Sequence, residues 1–330
     1  MEATVKDRLY NPLELAQILG EPRDPRTPYT LLQNTICQTA TAAPEDYVYS
    51  FDAVLDTDIV YQSSFDGSVT QINVTPFSPI LLTFLDVASP EYYIKITDLA
   101  KKKEDVIARK TITINRSMNA MENSLIINTI KGAVQTGRDF GLASGYNHFT
   151  YADLVSMLNA VIDYGSKFVL VAGTTIAKDI VLWNWTDNKF QSLSDALKAL
   201  NVEVIRINQT VTVDGTVTPV VAPTDAFLVA CDTEVGNPIL FVRKKLDSIA
   251  MLGGVFSEAG DMPERLIISS CNPITVLSGS KRYLAVGITG YEELVVTCVN
   301  PYAIAYFSRL QTQTFEAGQG TAFTQTAVGH

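Results

Sequence analysis

Apolar positions recur along this chain at two different periods. From residue 47 to 97 they alternate. "YVYSFDAVLDTDIVYQSSF" and "SVTQINVTPF" flank Asp66-Gly67, a strong signal for a two-residue hairpin turn. Ile59, Tyr61, Ile72 and Val74 give this ribbon only a thin apolar stripe, and an isolated two-stranded ribbon is marginal in water. It is therefore expected to lie on another surface. "YYIKIT", residues 92 to 97, reads as a further strand. The period then changes. "KKKEDVIARKTITINRSMNAMENSLIINTIKGA", residues 101 to 133, has no proline, and no glycine before Gly132. Ile107, Ile114, Met118, Met121 and Leu125 follow at spacings of seven, four, three and four, which is one face of a helix. Ile126, Ile127 and Ile130 widen that face, and the pattern fails at Asn128, so a coiled coil is not expected. About 30 residues give roughly 45 Å of helix. Its first turn, Lys101 to Lys103 with Glu104 and Asp105, reads as solvated.

The flanks are different in texture. Ahead of the ribbon, "NPLELAQILG" predicts a short helix with Asn11 as cap and Gly20 as stop, and "EPRDPRTPYT" places three prolines in a loop or arm. After the long helix, "TYADLVSMLNAVIDYG" predicts a helix capped by Thr150 with Asp153 three residues on. "KFVLVAG", "NVEVIRI", "DAFLVACD" and "PILFVRK" read as strands, interleaved with helices at "TTIAKDIVLWN" and "SLSDALKAL". That α/β texture spans about 166 to 250. "NQTVTVDGTVTPVVAPTD" is a loop or small hairpin. "RLIISSCNPITVLSG", "YLAVGITG" and "ELVVTCVNPYAIAYF" return to strands, with Glu292 and Glu293 assigned to a turn after Gly290. The polar end, from about 311, reads as a tail.

Composition narrows the function. The 330 residues are 47% apolar and 18% charged, a globular chain. A net charge of −10 gives no global attraction for phosphate backbones or anionic membranes. No apolar run reaches the roughly 18 residues of a membrane span, and the charged N-terminus is not expected to be a secretory signal. Cys37, Cys231, Cys271 and Cys298 are far apart and form no C-x-x-C, so packed thiols are expected rather than a zinc site.

An enzyme's equipment is missing. Of two histidines, His330 ends the sequence and His148 sits in a Tyr-Asn-His-Phe loop. Neither phosphate-loop nor dinucleotide-binding glycine motif occurs. Asp56/Asp58 and Glu292-Glu293 read as surface charge rather than a catalytic pair. Four N-x-[ST] sequons begin at Asn73, Asn115, Asn184 and Asn208, and with Asn115 inside the long helix they read as chance. Trp183 and Trp185 flank Asn184 and are expected in core and edge positions of one element. No catalysis, cofactor or metal is expected.

The order of parts resembles the major capsid proteins of tailed bacteriophages, the Hong Kong 97-type fold. "IKITDLAKKKEDVIARK", "SLIINTIKGA", "FTYADLVSML", "KFVLVAGTTIAKDI" and "YEELVVTCVNPYAIAYF" stand where that family passes through strand, spine helix, capped helix and closing strands. "VAGTT" replaces the family's usual asparagine-proline turn. The resemblance covers about residues 45 to 310. It implies an α+β fold divided into an N-terminal arm (1–50), an extended β-hairpin loop (51–97) and a peripheral domain with the spine helix (98–165). An α/β axial domain (166–280), return strands of the peripheral domain (281–310) and a C-terminal tail (311–330) follow.

The implied function is a shell protein that assembles into hexamers and pentamers of an icosahedral head around double-stranded DNA. Its place is the virion capsid, assembled in the host cytoplasm, with no membrane. Phe65, Asp66, Gly67, Arg8 and Tyr10 are the implied contacts with neighbouring copies, and Ile107, Ile114, Met118, Met121 and Leu125 the core face of the spine. No long acidic helical segment stands at the front, so a separate scaffolding protein is expected, with a portal, a decoration or cement protein, and non-specific contact with DNA. Two alternatives stay open: an encapsulin-like nanocompartment shell, and a cytosolic enzyme with a pocket in the α/β block.

Overall fold

The computed structural model describes residues 32–51, 80–143, 147–183, 193–213, 216–232, 236–246, 264–269, 274–278, 281–314 and 322–324. In chain order the elements are α1 (Gln33–Ile36), β1 (Cys37–Ala42), β2 (Val48–Phe51), β3 (Ile80–Thr83), β4 (Leu85–Ala88), β5 (Tyr92–Lys95) and α2 (Ile96–Ala133). Then come β6 (Asp139–Ala143), α3 (Tyr151–Val161), β7 (Lys167–Ala172), α4 (Thr174–Val181), α5 (Leu193–Ala199), β8 (Val202–Arg206), β9 (Thr210–Val213) and β10 (Thr216–Pro219). The last are β11 (Asp225–Cys231), β12 (Ile239–Lys244), β13 (Arg265–Ser269), β14 (Ile274–Ser278), β15 (Lys281–Cys298), β16 (Ile304–Thr314) and β17 (Ala322–Thr324).

Two sheets carry the fold. The seven-stranded one is organised by β15, an unbroken strand of 18 residues. Along one edge it pairs with β12, β13 and β14, and along the other with β4 and β5, all antiparallel. Strand β1 adds in parallel outside β12. The six-stranded sheet runs β17-β16-β11-β7-β8, with β6 parallel to β16. Its central strands are buried on both faces, which is why "FVLVA" and "AFLVAC" are continuous apolar runs.

The period of two then sorts their side chains. Val169, Val171, Phe227, Val229, Ile304 and Tyr306 face one core, which also holds Ile126, Ile127 and Ile130 of α2. Phe168, Leu170, Ala226, Leu228, Ala305 and Phe307 face the other, under Leu154, Met157 and Val161 of α3 and Ile176 and Ile180 of α4. The predicted capping box of α3 is present: Thr150 Oγ1 accepts from the Asp153 amide at 3.3 Å, and the Asp153 carboxylate accepts from the Thr150 amide at 2.7 Å. Gly165 follows with extended backbone. Its role is space, since a Cβ there would lie 2.5 Å from the Cys231 carbonyl.

Helix α2 joins the two sheets. It has 38 residues, about 57 Å at the standard rise, and begins at Ile96, so the strand expected over 92–97 ends at Lys95. Its buried face is not quite the predicted stripe. Ile114 and Met118 are buried against Ile94 and Ile288, but Met121 and Leu125 are half-buried at the margin of the main core. The fully covered row advances by four: Ile114, Met118, Glu122, Ile126, Ile130. Rows of that spacing run obliquely to the helix axis, so a helix crossing a sheet at an angle buries such a row and not a vertical stripe. Ile107 lies in the helix, but its side chain is outside the described residues. At Gly290 of β15 the helix comes down on bare backbone. A Cβ there would stand 2.5 Å from both Ile114 Cγ2 and Met118 Sδ.

Four expectations change. Residues 33–42, expected in an arm, are core: Leu32, Ile36 and Cys37 are buried and β1 extends the large sheet. "PILFVRK" belongs to the seven-stranded sheet and not to the α/β block. The closing strands split, β15 to one sheet and β16 to the other. The expected tail is partly sheet, because β16 continues to Thr314 and β17 pairs with it. In each case a strand pairs with a segment distant in sequence, which local pattern does not encode.

Truncation should rank with burial. Ile126→Ala and Met118→Ala should each cost about 2–5 kcal/mol, Leu125→Ala less, and Gly290→Val about 1–3 kcal/mol by overpacking. Urea unfolding of the four variants checks the order. A Leu125→Ala cost above that of Ile126→Ala would contradict this placement of the helix face.

Candidate assembly surfaces and a buried charge cluster

Arg8, Tyr10, Phe65, Asp66 and Gly67 lie outside the described residues, as does Trp185. The base of the predicted ribbon is described. Strands β2 and β3 pair antiparallel from Val48↔Thr83 to Phe51↔Ile80. Tyr49 and Leu82 stand opposite one another and pack on Ala42, Leu240, Val242 and Val295. The other face bears Leu81, 67% exposed, and Val48, beside Tyr47 at 85%. That face, which Val48 and Leu81 share with Ser50 and Thr83, is uncovered among the described residues. A second exposed group stands at the end of α4, where Val181 and Leu182 (74%) are uncovered, with Ile162 exposed just after α3.

The unexpected feature is internal. Glu122 of α2 and Glu292 of β15 are 1% and 0% exposed. Glu292 and Glu293, read as a surface turn, are in mid-strand on opposite faces. Arg265 of β13 joins the two buried carboxylates. Its Nε donates to Glu292 Oε2 at 2.7 Å, one Nη to Glu122 Oε1 at 2.8 Å, and the other to Asn119 Oδ1 at 2.7 Å and Asn115 Oδ1 at 3.4 Å. Arg243 of β12 also donates to Glu122 Oε1 and reaches Glu264 at 3.5 Å. Burial pushes the Glu292 carboxyl up to about 7; the Glu122 charge adds to the rise and Arg265 opposes it. On the opposite face Glu293 pairs with Lys244 at 2.9 Å, and the Tyr291 hydroxyl lies 2.9 Å from both Glu293 and Asp86.

Other polar groups tie elements together. Asn123 Oδ1 accepts from the Leu32 amide at 3.1 Å, and its amide donates to Gln209 at 2.8 Å. Buried Asp225 accepts from Tyr306 and Ser308, so it locks β11 to β16. Asp179 accepts from the Phe149 amide at 2.9 Å and lies 3.4 Å from Arg309. Trp183 is core, its Nε1 donating to the Phe149 carbonyl. Cys37 and Cys231 pack in the main core and Cys298 at its margin. Burial pushes Cys231 and Cys298 up to about 12 and 11, which keeps these thiols protonated and unreactive.

No nucleophile, base and oxyanion donor converge among the groups just described, and among the described residues no three metal-ligating side chains come together. An apolar cleft lined by Val87, Pro90, Tyr92, Met118, Met121 and Val211 opens between α2, β9 and the β4–β5 connection. Of the described helices, none is long and apolar enough to cross a membrane.

No protein-family model matches the chain, and no curated protein matches it. Solved structures do. The capsid of the cyanophage P-SCSP1u is similar over 89% of this chain and 94% of that one, with a TM-score of 0.55 at 10% identity. The capsid of the native GTA particle gives 0.53 over 88% and 96% at 12% identity. The mature capsid of bacteriophage PhiM1 gives 0.51 over 87% and 89% at 8% identity. The chain thus has the α+β Hong Kong 97-type fold of phage and GTA capsid proteins.

Sequence reasoning missed Glu122, Arg243, Arg265 and Glu292. One signal was available: Glu122 interrupts an apolar row of spacing four at its centre. Removing a partner from a buried ion cluster strands the remaining charge. Arg265→Ala should therefore cost about 3–5 kcal/mol. Thermal unfolding of that variant near neutral pH checks it, and a cost below about 1 kcal/mol would mean that the cluster is solvated.

Proposed function

We propose that this chain is the major capsid protein of a tailed phage and forms the icosahedral shell around its double-stranded DNA. The observation that carries this reading is the match of fold along nearly the whole length of both chains to capsid subunits. Residues ahead of Leu32 are the arm in this reading. Residues 51 to 80 form the extended loop that lies over the adjacent copy, continuing the two-faced ribbon that begins at Val48. The seven-stranded sheet with α2 is the peripheral domain, and the six-stranded sheet with α3, α4 and α5 the axial domain. The exposed Val181 and Leu182 suit contacts around five-fold and six-fold axes. Arg8, Tyr10, Phe65, Asp66 and Gly67 belong to the inter-subunit surface. A separate scaffolding protein, a portal and a decoration protein complete the partners, and a net charge of −10 suits a wall past which DNA moves without sticking.

The test is assembly. The purified 36.1 kDa chain, alone or with its scaffold, should sediment as large closed particles. Deletion of residues 62 to 70 should leave the subunit's thermal melt close to that of the full chain and reduce particle yield. A chain that stays monomeric with scaffold present contradicts the shell. Normal particle yield from the deletion contradicts the role of the loop.

A further inference from the structure

We propose that Glu292 carries a proton inside this cluster, and that this proton makes the cluster an acid-tightened clamp of α2 on the seven-stranded sheet. The inference comes from the inventory of donors. Four carboxylate oxygens meet inside the cluster. Glu122 Oε1 and Glu292 Oε2 take the guanidinium bonds, while Glu122 Oε2 and Glu292 Oε1 are buried with no donor, and Arg243 Nε is the one buried nitrogen of the cluster with no acceptor. An orphaned carboxylate oxygen shut away from water is costly. A proton on Glu292 removes a buried charge and turns an oxygen that has no donor into a group that can itself donate. Glu292 is the one to carry it, because it holds one arginine where Glu122 holds two.

The groups facing Glu292 fit this reading. Helix α2 brings Glu122, Asn115 and Asn119; β12 brings Arg243; β13 brings Arg265, with Glu264 just before it. Strand β1 brings Thr41, whose hydroxyl is bonded to Glu264. Strand β4 places Val87 opposite Glu292, while Asp86 joins Tyr291, Glu293 and Lys244 on the far face. The rise of Glu292 to about 7 is the titration this arrangement calls for.

The sign follows. A carboxyl raised in the folded state binds its proton more tightly there than in the unfolded chain. Its contribution is complete below pH ~4.5, declines as pH rises through about 7, and is gone above it. Within that window the folding constant should fall as pH rises, by no more than about tenfold per pH unit for the single proton. Above neutrality the Glu292 proton is lost, and α2 is held less firmly. The clamp lies within one subunit, so it stands whether or not the chain builds a shell.

Two measurements on the full chain test it. Infrared difference spectra should show the carbonyl stretch of a protonated carboxyl at about pH 5.5 that fades by about pH 8.5. Glu292→Gln, which keeps the shape without the titration, should remove that band. It should also flatten the fall in unfolding midpoint between those pH values, because every other titrating group is common to both proteins and cancels in the comparison. If Glu292→Gln does not fold, Glu122→Gln replaces it and should move the band's midpoint to lower pH. No titrating band, a band or slope unchanged in Glu292→Gln, or a midpoint unmoved in Glu122→Gln, overturns the proposal.

Discussion

The fold depends on the line along which α2 meets β15. Two things have to coincide there. Gly290 removes a side chain so that Ile114 and Met118 can rest on strand backbone, and one turn further along Glu122 has to enter the reach of Arg265 and Arg243. Apolar packing alone tolerates sliding, since one aliphatic side chain replaces another at modest cost. A buried carboxylate does not, because one turn of slippage leaves it facing hydrocarbon. The charge cluster therefore fixes the register of a helix that the apolar contacts only hold down.

That register governs both sheets. Ile126, Ile127 and Ile130, one and two turns beyond Glu122, close the core over Phe227 and Tyr306 of the six-stranded sheet. The α3 and α4 side of that sheet is built from local segments, but the α2 side is not. Strand β15 collects partners from residues 85–95, 239–244 and 265–278. Long-range pairing of this kind slows folding, and the clamp on α2 cannot form until residue 292 has been synthesised. An ionisable helix face waits until then in water, where its charge costs nothing.

Much of this was legible wherever order is local. The long helix, the Thr150–Asp153 box, the paired hairpin base and the strands of the α/β block follow from periods and caps. The continuity of β15 was hidden, because Gly287, Gly290 and the Glu292-Glu293 pair imitate a turn; only the neighbours of that strand explain them. Gly290 is there for Met118, and Glu292 for Arg265. Met121 and Leu125 seemed central to the helix because they are apolar, while Glu122 was passed over because it is charged. The oblique crossing of helix over sheet decides between them, and no single helix's sequence states its crossing angle.

In the proposed shell, a helix fastened to a sheet along its length would brace each copy. Among the described residues, the ribbon base and the α4 end both leave large apolar side chains exposed. The measurement that bears most directly on this account is a cryo-electron microscopy map of the particles. If the chain builds the proposed shell, the wall should be thinner than the roughly 57 Å length of α2, with α2 of every copy lying in the plane of the wall. A map in which α2 stands across the wall, or in which no closed wall forms, would contradict it.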